Sequence, residues 1–273
     1  TEFPSMLEVA KNNSAKIVFD VHKLMATELS ACGVNLNLSP CCDIFNNDKN
    51  KVIGDRSFGK NADSCSKLVT AAIRGLQTEQ IIACAKHFPG HGSTFKDSHF
   101  DLPLIKSSME SLLKNEIVPF QKAIKSKVEF VMMGHLIVDS IDSDKPCSLS
   151  VKAHKFLREE LRYKNIIISD DMQMGAIEKH YKVDEASVLA ICAGTDIVEF
   201  RDMEYAKEAL DCIKKARKEK TILDSELEIK FKRIQSCKKR FLSNYKPTYI
   251  PSIQEDFNRI NREEILSKLL PNT

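Results

Sequence analysis

Between residues 86 and 99 the chain reads KHFPGHGSTFKDSH, two lysines, three histidines and an aspartate within fourteen residues. Side chains of these types bind a metal, cradle a phosphate or move a proton. His87 and His91 are four apart, the spacing that puts two zinc ligands on one helix face. Pro89 and Gly90 between them break a helix, and no Glu follows His87, so the H-E-x-x-H pattern fails. A histidine metal site carried on a loop stays open on spacing alone. A phosphate loop needs its lysine after the glycines, whereas Lys86 precedes them. Proton transfer fits better. Asp97 and His99 are two apart in a polar loop, and a bend brings them together. A carboxylate bonded to one ring nitrogen sets the imidazole tautomer and leaves the other nitrogen to carry the proton. The plain alternative is a helix-capping aspartate beside a solvated histidine.

A second constellation lies at IIISDDMQMGAI (166–177), where three isoleucines lead into Ser169, Asp170 and Asp171. An ionised carboxylate at a strand end is a nucleophile toward an electrophilic carbon. Either aspartate can instead cap the following helix. A carboxylate nucleophile with a separate proton donor is the equipment of glycoside cleavage. Here the donor would be His99, in place of the usual second carboxyl.

The elements that must position these groups alternate along the chain. Apolar runs at 33–40, 81–88, 128–136, 165–171 and 195–200 predict strands. They are continuous rather than alternating, as buried parallel strands are. Amphipathic stretches at 14–31, 66–79, 111–126 and 153–164 predict helices, and two more follow residue 200. This order is α/β with a parallel sheet. Asp43, His87, His135, Asp170 and Asp171 fall within or just after the apolar runs, at the strand ends where such sheets build their sites. Five strands do not close an eight-stranded barrel, so either the sheet is open or further strands lie outside this sequence.

Composition narrows the function classes. The net charge is +3, with 42% hydrophobic and 29% charged residues. The one basic run, KKARKEK (214–220), holds no aromatic residue and reads as a solvated helix face, against nucleic-acid binding. Nine cysteines are scattered without a C-x-x-C pair, as reduced thiols are. No apolar run reaches the roughly 20 residues of a membrane span, and no leader-like segment opens the sequence. A cytoplasmic protein with no membrane partner is expected.

K-H-F-P-G-H-G followed by D-S-H, then S-D-D-M-x-M-x-A-I, resembles the bacterial β-N-acetylhexosaminidases of glycoside hydrolase family 3. NLSPCCDI (37–44), IGDRSFG (53–59), VMMGHLIVDSID (131–142), PCSLS (146–150) and AGTD (193–196) support the resemblance, which runs from about residue 3 to about residue 200. It implies a TIM-type (β/α)8 barrel and a retaining exo-β-N-acetylglucosaminidase that takes GlcNAc from anhydro-muropeptides in cell-wall recycling. Asp170 would be the nucleophile, His99 the acid/base and Asp97 its dyad partner, on a flexible glycine-rich loop. Arg56, Lys86 and His87 would grip the sugar, and Asp43 is left as structural. No metal or other cofactor is implied, and a monomer or weak dimer is expected. The family's D-Q-E-G-G-x-V-x-R motif has no counterpart, so the first barrel strands are expected to be absent from the chain. Residues 1–245 would form the partial barrel and 246–273 a tail packed on it or extended. Two alternatives remain: a GlcNAc phosphorylase using phosphate as acceptor, and a non-catalytic sugar-binding relative.

Overall fold

A computed structural model of the chain describes residues 1–47, 50–94 and 102–269. The five apolar runs become strands β1 (Leu36–Asn37), β2 (Ile82–Phe88), β4 (Phe130–Met133), β6 (Ile166–Asp171) and β7 (Ile197–Glu199) of one parallel sheet. Two unexpected short strands, β3 (Leu104–Ile105) and β5 (Ile137–Val138), form a separate parallel pair. All four residues of β4 and six of seven in β2 are buried, which is why these strands lack polar alternation.

The spatial order β1-β2-β4-β6-β7 follows the chain order. A doubly wound sheet reverses direction at a switch point, whereas every crossover here steps the same way. That is the winding of a (β/α) barrel, and the sheet curls as half of one.

Twelve α-helices are described: α1 (Met6–Ala10), α2 (Ala15–Ala31), α3 (Ala62–Thr78), α4 (Met109–Lys114), α5 (Ile117–Lys125) and α6 (Val151–Lys155), then α7 (Gly175–Glu178), α8 (Val183–Ala193), α9 (Met203–Lys218), α10 (Asp224–Leu242), α11 (Ile253–Phe257) and α12 (Arg262–Ser267). Ser14 and Asn61 cap α2 and α3 by accepting the backbone N–H of Ile17 and Ser64. Leu68, Val69, Ala72, Ile73 and Leu76 recur at helical spacing along α3 and are fully buried. Each large one contributes about 1.5–3 kcal/mol of burial free energy. Gly75 lets α2 approach closely, since a Cβ there would lie 2.6 Å from the Phe19 carbonyl oxygen.

Two predicted helices differ from expectation. The 111–126 stretch divides into α4 and α5, because Pro119 is tolerated only in a first turn and a new helix begins just before it. The 153–164 stretch runs through α6 into a π-turn at Phe156–Glu160 and stops near Arg162, which has φ 56°.

Helices α2, α3 and α5 pack on the sheet face that carries Ala83, Ala85, Val131 and Ile167. The opposite face, with Ile82, Cys84, Phe130 and Ile166, packs against Ile234, Cys237 and Phe241 of α10. Cations of α10 also bind where the strands begin. Lys230 donates to the Thr195 carbonyl at 2.9 Å, Arg233 pairs with Asp196 at 2.8 Å and Arg240 pairs with Glu129. The N-terminal strand ends are thereby closed, and the C-terminal ends are left for chemistry. In the tail, Ile265 of α12 is buried in the main core. Among the described residues no helix is long and apolar enough to cross a membrane.

Candidate functional site

A cavity of about 210 Å³ opens at the C-terminal ends of the strands. Arg56, Lys86, His87 and Asp170, four of the six residues expected to act, line it together. The other two, Asp97 and His99, lie outside the described residues. Leu38, Val52, Met132 and Met174 add apolar wall, and His91 and Glu199 complete the lining.

β6 carries Asp170 to the cavity. Its Oδ1 accepts the backbone N–H of Asp171 at 2.9 Å. Burial pushes the Asp170 carboxyl up, but His87, His135, the Asp171 N–H and Lys86 outweigh that and hold it below the usual carboxylate range. The group is therefore an anion at neutral pH. Neither aspartate caps the next helix: α7 has Met174 at its N-cap with no side-chain bond, while Asp171 Oδ1 takes the N–H of Gln173. His135 supports the same strand end. Its Nε2 lies 3.0 Å from the Asp171 carbonyl, which only accepts, so Nε2 carries the proton and Nδ1 accepts from Ser148 at 2.7 Å.

β2 delivers Lys86 and His87, and Asp43 holds the histidine. Asp43 Oδ2 lies 2.8 Å from His87 Nδ1, and the carboxylate accepts the backbone N–H groups of His87 and His91. Burial opposes ionisation of Asp43, yet His87 and His91 hold it well below the usual range. An ionised acceptor fixes the proton on His87 Nδ1 and leaves Nε2 for a ligand. The structural role assigned to Asp43 is thus that of an anchor for the cavity-lining His87.

Arg56 ends a 3-10 turn, Gly54–Arg56, and its guanidinium donates to the Val52 carbonyl while remaining exposed. It reaches the cavity from a loop that shares no strand with the other three residues.

The described part of the glycine-rich loop, up to Thr94, is pinned by hydrogen bonds, and the rest of that loop lies outside the described residues. Asn50 Nδ2 donates to the carbonyls of His91 and Gly92 and to Thr94 Oγ1. Ser93 Oγ donates to Glu116 at 2.6 Å. At Gly92 an added Cβ would sit 1.6 Å from the Ile44 carbonyl oxygen, so this glycine serves close backbone contact rather than mobility.

Among the described residues one cluster has metal-ligand types: Cys41, Asp43 and His87, whose ligand atoms lie within 4.8 Å of one another. Cys41 Sγ donates to Asp43 at 3.1 Å, and burial followed by the nearby Asp43 charge pushes this thiol well up. Asp43 already accepts from Cys41, His87 and His91, so the donor set is occupied by hydrogen bonds.

From the sequence Glu199 draws no attention, and His91 is weighed only as a metal ligand. Glu199 closes the strand run IVE as Asp170 closes IIISD, and a carboxylate ending an apolar run is a signal available for both.

The chain is similar to the β-hexosaminidase of Methylococcus capsulatus, 31% identical over 192 residues, covering 70% of this chain and 57% of that protein. It is also similar to the β-hexosaminidase of Neisseria meningitidis serogroup C, 34% identical over 180 residues, 65% of this chain and 49% of that one. The chain thus spans about half the length of the curated relatives it matches. A solved family 3 β-N-acetylglucosaminidase from Paenibacillus sp. str. FPU-7 superposes with a TM-score of 0.90 and 32% identity, over 97% of this chain and 51% of that structure. The family model described as "Glycosyl hydrolase family 3 N terminal domain" matches residues 1–237. The chain belongs to glycosyl hydrolase family 3.

Proposed function

We propose that this chain carries the sugar site of a retaining β-N-acetylglucosaminidase. The observation that carries the proposal is Asp170: a half-buried carboxylate held ionised at a strand C-terminus, in one cavity with Lys86, His87 and Arg56. Arg56 and Lys86 offer donors to sugar oxygens. The apolar residues offer surface to the ring and to an acetamido methyl. Asp170 attacks C1 and forms a glycosyl ester as the leaving oxygen takes a proton from His99. Water, giving its proton back to His99, then attacks C1 and releases Asp170. Asp97 orients the His99 ring.

The name β-hexosaminidase on similar proteins supports an N-acetylhexosamine as the glycone. The finer substrate, GlcNAc on an anhydro-muropeptide in cell-wall recycling, rests on the motif resemblance. Nine cysteines free of disulfides support a reducing, cytoplasmic setting. Closure of the curled sheet into an eight-stranded barrel belongs to the same proposal, supported by its order-preserving winding.

Trapping tests the mechanism. A slow 2-fluoro or 5-fluoro donor should add one sugar mass to the peptide carrying Asp170. Turnover of GlcNAc glycosides without any adduct would refute the covalent route. Running the same assay in phosphate buffer separates hydrolysis, which releases free GlcNAc, from phosphorolysis, which releases GlcNAc-1-phosphate.

A further inference from the structure

We infer that Glu199 is a sugar-binding residue of this site, its carboxyl accepting a hydrogen bond from a hydroxyl of the bound glycone. The inference rests on the proposed sugar site and deepens it.

Glu199 ends β7, in register with Asp171 of the neighbouring strand. Its backbone is held on both sides: the N–H donates to Ser169 Oγ at 3.0 Å, and the carbonyl accepts from Met172 at 3.0 Å. The side chain enters the same cavity as Asp170 and Lys86. Its Oε2 is buried and has no hydrogen-bond partner among the described residues. A buried acceptor left unpaired is unfavourable, and a ligand hydroxyl would supply the missing donor.

The chemistry of the lining calls for such an acceptor. Each sugar hydroxyl brings one donor and two acceptor sites, whereas Arg56 and Lys86 only donate. Asp170 is committed to C1. Among the described residues Glu199 is the other carboxylate lining the cavity, and it stands beside the Lys86 cation. A lysine and a carboxylate meeting one hydroxyl satisfy both its oxygen and its hydrogen. Burial, then Asp170 and Asp171, push the Glu199 carboxyl up, so its neutral form, which both accepts and donates, lies closer to hand than for an exposed glutamate.

The test uses the full-length protein and its Glu199→Leu and Glu199→Gln variants. Calorimetry measures binding of free GlcNAc and of its 3-, 4- and 6-deoxy analogues, with the unfolding midpoint recorded for each variant. Glu199→Leu should weaken GlcNAc binding roughly tenfold to a hundredfold. Glu199→Gln, which keeps an acceptor, should lose less. One deoxy analogue should bind wild type and the leucine variant equally, because its contact is already gone. Equal affinity of both variants and wild type for GlcNAc would overturn the assignment. So would a loss of the same size for GlcNAc and every deoxy analogue, or no GlcNAc binding by wild type. Turnover keeps the two proposals apart. Normal wild-type turnover with unchanged binding by the leucine variant removes only Glu199. Selective loss of GlcNAc binding in a protein without turnover removes only the hydrolase.

Discussion

His87 Nδ1 and Asp43 Oδ2 lie 2.8 Å apart although 44 residues separate them in the chain, and the same carboxylate accepts the backbone N–H groups of His87 and His91. One buried anion therefore sets a ring, its tautomer and the start of the following loop. Asp43→Ala leaves four donors without an acceptor: the Cys41 thiol, the His87 ring and the backbone N–H groups of His87 and His91. Removing one partner of a buried pair costs about 3–5 kcal/mol. Urea unfolding should show that loss, with a smaller one for Asp43→Asn. An alanine variant as stable as wild type would mean that these contacts contribute nothing.

Asp170→Ala should abolish release of nitrophenol from a β-GlcNAc glycoside, by roughly four orders of magnitude or more. The anchor Asp43 is not the reacting group, so Asp43→Asn should keep measurable turnover. Full activity of Asp170→Ala would remove it as the nucleophile.

Gly92→Ala should destabilise the protein and depress turnover. The new Cβ would meet the Ile44 carbonyl oxygen at 1.6 Å, and a backbone atom has no rotamer by which to yield. Overpacking of this kind costs about 1–3 kcal/mol or more. Gly59→Ala is a comparison at an open site, where no atom lies within 4 Å of an added Cβ, though its φ of +130° adds strain of its own. Thermal melts should place the Gly92 variant below the Gly59 variant.

Stability should fall as pH drops from about 6.5 to about 4. Burial holds His22 and His154 at about 4, below the ordinary 6.5. Within that window the unfolded chain binds protons that the folded protein refuses, so unfolding gains. At 1.36 kcal/mol per pH unit each histidine accounts for about 3 kcal/mol by pH 4. His154 Nδ1 donates to the Ser150 carbonyl and Nε2 accepts from Thr195, a pairing only the neutral ring makes. His22 Nε2 has no partner among the described residues, so His22→Leu should flatten the stability profile over this range without a large penalty at pH 7. Asp43 adds to the acid side. Its carboxyl is depressed, so its stabilisation is present above about 4 and is lost as pH falls further toward its folded value. A profile flat from pH 7 to 4 would contradict the histidine account.

Local patterns in the chain determined the parallel α/β order and the placing of Lys86, His87 and Asp170 at strand ends. Continuous apolar runs bury both faces of a strand, and a charged residue can follow only where the strand leaves the core. Motifs with close spacing were equally legible, because their residues meet through one or two turns of backbone. Tertiary structure alone decided the rest. Asp43 became an anchor because β1 runs beside β2. Arg56 joined the cavity from a turn outside the sheet, Gly92 proved to be a contact point for Ile44, and Glu199 came to face Asp170 across paired strands. α10 crossed the sheet face opposite α2, α3 and α5 and closed the strand beginnings with its cations. Each of these depends on residues far apart in sequence meeting in space, and periodicity along one segment carries no record of which distant segment will pack against it.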